Sequence, residues 1–262
     1  MTTMIEHINV IEINPTELCN LKCTFCPRGS FYPNQNLHMT LDTAKVIRAQ
    51  LDEINYTGEV SITGRGEPTL HSQFDELCNI FIKDRSWKLK INTNGKRFND
   101  WLDTIWEFDN IIYNCYEHTD EEAALVFEQF EPYQDKVRVA YKPSDMEWFE
   151  RQNFTNRAGS FATNHMPDNL GCDNPFVKMF IDWDGIYRLC CEDWKDKINM
   201  GNVFVQTIKD YINTNEQLSK YRIMLAQGKR DCGPCMNCSY NIVDHKNGVN
   251  EVKWNFLKDL VL

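Results

Sequence analysis

Between residues 7 and 142 short apolar runs alternate with longer amphipathic ones, and this alternation restricts the fold more than any other feature. HINVIEIN (7–14), GEVSIT (58–63), KLKINTNG (88–95), NIIYNCYE (110–117) and KVRVAYK (136–142) read as five strands. Helical periodicity fills the gaps at 40–54, 72–84, 99–107 and 120–130, and Thr40 stands where a helix cap is expected. Strands separated by single helices pair in parallel through right-handed crossovers, so the expected class is α/β, as a barrel or a doubly wound sheet. A loop rich in Asn, Gly and Pro at about 153–175 is the candidate boundary to the C-terminal third.

The chain has 262 residues, 42% of them hydrophobic, enough for one barrel-sized domain with or without an appendage. A formal net charge of −10 argues against a nucleic-acid backbone as the main partner. No basic leader precedes an apolar run and no stretch nears the length of a membrane span, so a cytoplasmic protein with no membrane partner is expected. Eleven cysteines in that setting point to metal binding or reactivity in a reducing compartment. Cys78 and Cys115 sit alone inside periodic segments and read as buried small hydrophobes. The other nine fall at 19–26 and 172–238. The six histidines show no metal-ligand spacing.

Cys19, Cys23 and Cys26 form a C-x3-C-x2-C triplet directly after the first strand. Three thiolates can hold three irons of a [4Fe–4S] cube and leave the fourth iron open to a small chelating ligand. Zinc favours four N/S ligands, often as two close pairs, and fits three clustered cysteines less well. The cysteine loop, GRGEP (64–68) and TNG (93–95) each come just after the C-terminal end of a successive strand. In a parallel barrel those ends share one face, which carries the chemistry. Gly64 and Gly66 leave the backbone room for a close approach or for positive φ. Glu67, followed by Pro68, can accept a charge-assisted hydrogen bond from an ammonium group.

CNLKCTFC, GRGEP in place of the more usual GGEP, and TNG after the third strand together resemble the radical S-adenosylmethionine (SAM) superfamily. The resemblance implies a partial (β/α)6 TIM-like barrel whose open iron is chelated by SAM. It implies reductive cleavage of SAM to a 5′-deoxyadenosyl radical, driven by an external one-electron reductant such as flavodoxin or ferredoxin. It places Phe25 near the adenine, and Gly64, Gly66 and Glu67 around the methionine ammonium. Asn94, Asn114 and Lys142, at or near strand ends, are further candidate SAM contacts. Arg65 is the departure from the family's turn.

The second cysteine set opens with Cys172, ahead of a hairpin-like FVKMFIDWDGIYRLCC that turns at Asp184-Gly185 and ends on Cys190 and Cys191. An amphipathic helix at about 207–227 precedes GKRDCGPCMNC, with Cys232, Cys235 and Cys238. A hairpin bearing cysteines and a distant C-x2-C can wrap four thiolates around one centre, and zinc would be served by the same sulfurs. The run resembles the SPASM/twitch extension of the same superfamily, in its short form with one auxiliary [4Fe–4S] cluster. Cys172 and Cys190 match that pattern; PCMNC favours Cys235 with Cys238, and Cys232 with Cys235 is the alternative. Cys191 would point to the opposite strand face as a packed thiol. NRAG (156–159), after the aromatic-rich EWFERQNF, resembles a segment of barrels with such extensions. Arg157 would then pair with a substrate carboxylate or tune a substrate proton at the barrel mouth, or else simply tie the loop down.

The resulting expectation is a barrel over 1–165 and a cluster-binding hairpin-plus-helix extension over 166–262. With the first strand starting by residue 7, no leader-peptide domain is expected, which favours a small-molecule substrate. The compact layout resembles the aminocyclitol-dehydrogenase type of the superfamily, and net two-electron oxidation is the leading reaction. The alternatives are a peptide-modifying enzyme (thioether cross-linking, epimerisation or formylglycine-type maturation) and a non-catalytic iron–sulfur or zinc protein.

Overall fold

The computed structural model describes residues 4–116, 119–142, 155–161, 171–195, 198–240 and 251–262, without the side chains of 141, 142, 251 and 252. Strands β1 (Val10–Ile13), β2 (Glu59–Ile62), β3 (Lys88–Thr93), β4 (Asn110–Tyr116) and β5 (Val137–Lys142) appear where the alternation places them. β2 to β5 pair in parallel, with Glu59 opposite Lys88, Lys90 opposite Asn110 and Ile111 opposite Val137. With β6 (Lys178–Ile181) and β7 (Tyr187–Arg188) the sheet order is β5-β4-β3-β2-β1-β6-β7. Val60, Ser61 and Ile62 are buried in succession, as in a strand covered on both faces.

Between the strands lie α1 (Leu41–Glu53), α2 (Phe74–Ile82), a short α3 (Leu102–Ile105) and α4 (Asp120–Phe130). Thr40 caps α1 by accepting the Thr43 N–H at 3.1 Å, and Ala44, Ile47 and Leu51 then line its fully buried stripe. Thr119 and Glu122 form a reciprocal capping box on α4. Phe74, Leu77, Cys78 and Phe81 bury one face of α2, and Cys115 is buried in β4, so both isolated cysteines are core residues. The helix expected at 99–107 is a 3-10 turn, Phe98–Trp101, followed by α3.

The chain divides into two compact units. One is Ile11–Gln152 with Ile181–Gly185; the other is Met1–Val10, Asn153–Phe180 and Ile186–Leu262. The second contains α5 (Asn174–Val177), so Phe176 and Val177 are helical and the hairpin begins only at Lys178. Gly185, at φ +78°, closes the turn with its N–H on the Asp182 carbonyl at 2.9 Å. The single helix expected at 207–227 is two, α6 (Ile208–Thr214) and α7 (Glu216–Ala226). Asn215 breaks it: extended at ψ 112°, it turns its carbonyl group on the Leu218 N–H at 2.9 Å and its amide on the Met200 carbonyl at 2.8 Å. Phe176, Val177, Leu225 and Ala226 form a core with Leu257 of α8 (Glu251–Asp259).

Asp109 joins two barrel strands by accepting the Leu89 N–H at 2.7 Å and an Arg85 N–H at 3.0 Å. Burial alone would push this carboxyl up, but the Leu89 and Arg85 donors overcome it and hold it below its ordinary value. A depressed folded value stabilises above about pH 4 and is lost as pH falls through that value. Asp109→Asn should therefore destabilise the protein at pH 7, and the gap to wild type should shrink below about pH 4. Urea unfolding at the two pH values checks this; a pH-independent gap would assign the effect to packing.

Candidate active site and metal centre

The cysteine loop is built on its own backbone. The Asn34 side chain pairs with Cys19 as a peptide would, accepting its N–H at 2.8 Å and donating to its carbonyl at 2.9 Å. The Cys26 N–H meets the Cys23 carbonyl at 3.0 Å, and a 3-10 turn at Pro27–Gly29 closes the loop. A Cβ on Gly29 would stand 2.3 Å from the Cys23 carbonyl oxygen, so only glycine lets the turn fold back there. Cys23 is buried; Cys19 and Cys26 are half-buried. Burial pushes the Cys19 thiol up to about 11, partly offset by the Leu21 N–H. Loading with metal must therefore remove a proton.

Beneath this loop lies a buried polar network of which sequence reasoning saw only Arg65. Arg28 pairs with Glu17 at 2.7 Å, and Tyr32 donates to the same carboxylate at 3.1 Å. Arg65 pairs with Asp182 at 2.6 Å, and Asn14 donates to Asp182 at 2.7 Å while accepting the Arg65 N–H at 3.1 Å. Arg28 also donates through Nε to the Arg65 carbonyl. The departure from the family's turn is thus an internal ion pair. Arg28, two positions after Cys26, was a signal in plain view; Asp182, 117 residues from Arg65, was not.

GRGEP packs on the segment that enters the cysteine loop. A Cβ at Gly64, where φ is +135°, would meet the Asn14 side chain at 2.4 Å, and one at Gly66 would meet the Thr16 carbonyl oxygen at 2.2 Å. The Glu67 N–H bonds the Leu18 carbonyl at 2.8 Å. The buried Glu67 carboxylate accepts from Thr93 Oγ1 and Thr69 Oγ1, both at 2.7 Å, and from the Thr69 N–H at 3.2 Å through Oε1. Its Oε2 accepts the Asn94 N–H at 2.7 Å and keeps further acceptor capacity. Burial raises this carboxyl, opposed by the Asn94, Thr93 and Thr69 donors. Asn94 in turn donates to Asn20 of the cysteine loop at 2.8 Å, and Asn114 donates to the Thr93 carbonyl at 3.3 Å. The three motifs therefore meet at the strand ends, bonded to one another. Phe25 stacks obliquely on Tyr116 with centroids 5.1 Å apart. The Lys142 side chain and EWFERQNF lie outside the described residues.

In the other unit Cys172, Cys190, Cys235 and Cys238 line one cavity, together with Glu192, Arg230 and Tyr240. Cys232 is exposed, with its sulfur 3.5 Å from Met224 Sδ, and is not among the lining residues. Cys191 turns to Glu192, sulfur to oxygen 3.8 Å. Burial drives the thiols of Cys172 and Cys190 well up, and that of Cys235 to about 12. Among the described residues no three His, Cys, Asp or Glu side chains close round a single-ion point. The four thiols line one cavity, and four is the number of protein ligands that a closed [4Fe–4S] cluster takes.

NRAG is clasped to the last of these thiols. Asn156 takes the Ser239 N–H at 2.9 Å and the Gly159 N–H at 3.1 Å, and donates to the Asn237 carbonyl at 2.7 Å. Arg157, Ala158 and Gly159 are all left-handed, at φ +51°, +49° and +81°. This run turns the Ala158 N–H toward the Cys238 sulfur, which the Tyr240 N–H also approaches at 3.4 Å. Arg157 pairs with Glu192 at 3.0 Å, and Thr155 donates to the other Glu192 oxygen at 2.5 Å.

These two constellations agree with what known proteins show. The radical SAM superfamily model matches residues 13–145, and an iron–sulfur cluster-binding domain model, SPASM, matches residues 172–239. The chain belongs to the radical SAM superfamily: it is an enzyme that carries a [4Fe–4S] cluster, SAM and an auxiliary cluster. It is 26% identical over 242 residues to the S-adenosyl-L-methionine-dependent 2-deoxy-scyllo-inosamine dehydrogenase of Niallia circulans, covering 88% of this chain and 92% of that protein. A GTP 3′,8-cyclase of Synechocystis sp. is 28% identical over 106 residues, 40% of this chain and 32% of that one. Among solved structures, BtrN in complex with AdoMet and 2-DOIA has a TM-score of 0.77 at 24% identity, covering 92% of this chain and 97% of that one. The structure of anSMEcpe with bound AdoMet has a TM-score of 0.55 at 14% identity, covering 96% of each. These likenesses show the partial-barrel fold.

Glu67→Gln sets an amide against four donors, so urea unfolding of the metal-free protein should show a loss of about 1.5–3 kcal/mol, and SAM binding should weaken. Undiminished stability with weakened SAM binding would mean the carboxylate serves the ligand alone. In a Cys19→Ala, Cys23→Ala, Cys26→Ala background, Cys235→Ser or Cys238→Ser should cost the remaining iron, about four atoms. Cys232→Ser and Cys191→Ser should keep it. Iron loss in Cys232→Ser but not in Cys238→Ser would reverse the assignment.

Proposed function

We propose that this enzyme carries out a net two-electron oxidation of a secondary alcohol in a small polyhydroxylated molecule of the aminocyclitol kind. The observation that carries the reading is the cavity lined by four cysteines in the C-terminal unit. Support comes from the near full-length likeness to a SAM-dependent dehydrogenase whose name specifies such a substrate. The barrel is assigned to 1–165 and the cluster extension to 166–262, a boundary inside the gap between the two family matches.

Cys19, Cys23 and Cys26 hold the cluster that binds SAM in this reading, and Cys172, Cys190, Cys235 and Cys238 hold the auxiliary one. When bound, SAM and its cluster supply a 5′-deoxyadenosyl radical that takes a hydrogen atom, and the auxiliary cluster supplies a one-electron acceptor. Gly64, Gly66 and Glu67 shape the turn that receives the SAM ammonium, Phe25 lies beside the adenine, and Asn94, Asn114 and Lys142 complete the rim. Arg157 sits with its charge balanced by Glu192, so it can hold a substrate oxygen without an uncompensated buried charge. The reducing electron arrives from an external carrier such as flavodoxin or ferredoxin. Seven cysteines used as cluster ligands in this reading suit a cytoplasmic, reducing setting. Among the described residues no helix is long and apolar enough to cross a membrane.

The test is isotopic. 2-Deoxy-scyllo-inosamine and related cyclitols, deuterated at each alcohol carbon in turn, are incubated with the reduced, reconstituted enzyme and SAM. One position should pass its label to 5′-deoxyadenosine, with one SAM consumed for each ketone formed. Solvent hydrogen entering the product without net oxidation would instead identify an epimerase.

A further inference from the structure

Apart from its thiols, the four-thiol cavity has three side chains with N–H or O–H donors among the described residues: Arg230, Tyr240 and Asn174. Two of them are committed away from sulfur. The Arg230 guanidinium donates to the carbonyls of Cys238 at 2.7 Å, Tyr240 at 2.5 Å and Gly171 at 3.4 Å. The Tyr240 hydroxyl donates to Asp173 at 2.7 Å. Asn174, the first residue of α5, differs from both. It is 3% exposed, it lines the cavity, and its buried Oδ1 has no hydrogen-bond partner. Its backbone N–H turns to the Cys172 sulfur, so the main chain fixes this side chain beside one of the four thiols. A buried amide with an unpaired oxygen costs free energy that a core residue of the same shape, such as leucine, would avoid.

We propose that Asn174 is a side-chain hydrogen-bond donor to the auxiliary cluster, its amide offering the NH2 end to a sulfur and raising the reduction potential of the centre. This rests on the auxiliary-cluster reading given above. Thiolate and sulfide sulfurs accept hydrogen bonds and have no proton to give, so only the NH2 end of an amide can meet them. Half a turn about the last torsion of asparagine exchanges its two ends without changing its shape, and its oxygen is not bonded so as to oppose that turn. The setting makes donors count. Asp173, Glu192 and Asp193 bring negative charge to the thiols of Cys172, Cys238 and Cys235, and reduction adds one more. Cluster potentials follow net charge, burial and hydrogen bonds to sulfur. The backbone contributes the Asn174 N–H at Cys172 and the Ala158 and Tyr240 N–H groups at Cys238, and the amide of Asn174 adds a side-chain donor to these.

The experiment uses the Cys19→Ala, Cys23→Ala, Cys26→Ala protein, in which only the auxiliary cluster remains, made with asparagine isotopically labelled at its side-chain nitrogen. Pulsed electron paramagnetic resonance of the reduced cluster should show coupling to the labelled nitrogen. Asn174→Leu, branched alike but without the NH2, should abolish that coupling. In a redox titration the same substitution should lower the equilibrium constant for one-electron reduction at least tenfold, about 59 mV for a one-electron couple. Coupling absent from the parent, or persisting in the leucine variant, overturns the proposal, and so does an unchanged midpoint. Should Asn174→Leu hold no iron, Asn174→Asp keeps the shape, lacks the amide nitrogen and is read for coupling in its place. Loss of iron from both variants would make Asn174 a residue that seats the thiols and would reject the donor role. If the parent triple variant itself gives no iron–sulfur signal, the auxiliary-cluster reading fails and this inference fails with it.

Discussion

Two buried ion pairs, Arg28 with Glu17 and Arg65 with Asp182, support everything at the mouth of the barrel. A charge removed from water costs several kcal/mol unless its partner and its remaining hydrogen-bonding positions are supplied. Here Tyr32 and Asn14 add donors to the two carboxylates, and the Arg65 carbonyl takes the Nε of Arg28. The pairs differ from surface bridges in what they hold: one anchors the turn after Cys26, the other anchors the turn that carries Glu67. Because Arg28 bonds the carbonyl of Arg65, moving the two turns apart would leave a buried donor and a buried carbonyl unpaired. The cysteine loop, with little regular structure of its own, takes its shape from this network.

The C-terminal unit solves the same problem differently. Its thiols are spread over Cys172, the end of a hairpin and a 3-10 turn, and side chains acting on backbone bring them round one cavity. Asn156 clasps the segment around Cys238, and Arg230 ties that segment to the residue before Cys172. The left-handed run Arg157-Ala158 costs of order 1–3 kcal/mol for each non-glycine residue. What it secures is a backbone N–H aimed at a sulfur, which an extended loop would not provide.

The barrel strands were legible because period-two burial and helical periodicity are local: β3 alternates and α1 repeats its buried stripe within a few residues. The cysteine triplet and GRGEP stood out because their spacing is itself a chemical pattern. The rest depended on distance along the chain. Asn215 looked like one polar residue on a helix, and only the Met200 carbonyl reveals why it breaks the helix. Choosing among Cys232, Cys235 and Cys238 needed the direction of the 3-10 turn, which PCMNC suggested and the cavity lining supports. Arg65 read as a deviation in a familiar motif until its partner came into view. Arg230 carried no signal, since one basic residue in GKRD resembles any solvated surface.

The span between Arg65 and Asp182 also sets a clock on biosynthesis. At ~5–20 residues per second, the ribosome needs roughly 6–23 s to add the 117 residues that separate them. During that interval β1 to β5 can form their local crossovers, but Asn14 and Arg65 lack the carboxylate they enclose. The cysteine loop is therefore made well before the last of its supports. A nascent chain presents three thiols on a loop with only its local bonds for seconds before its own later sequence arrives to complete the network.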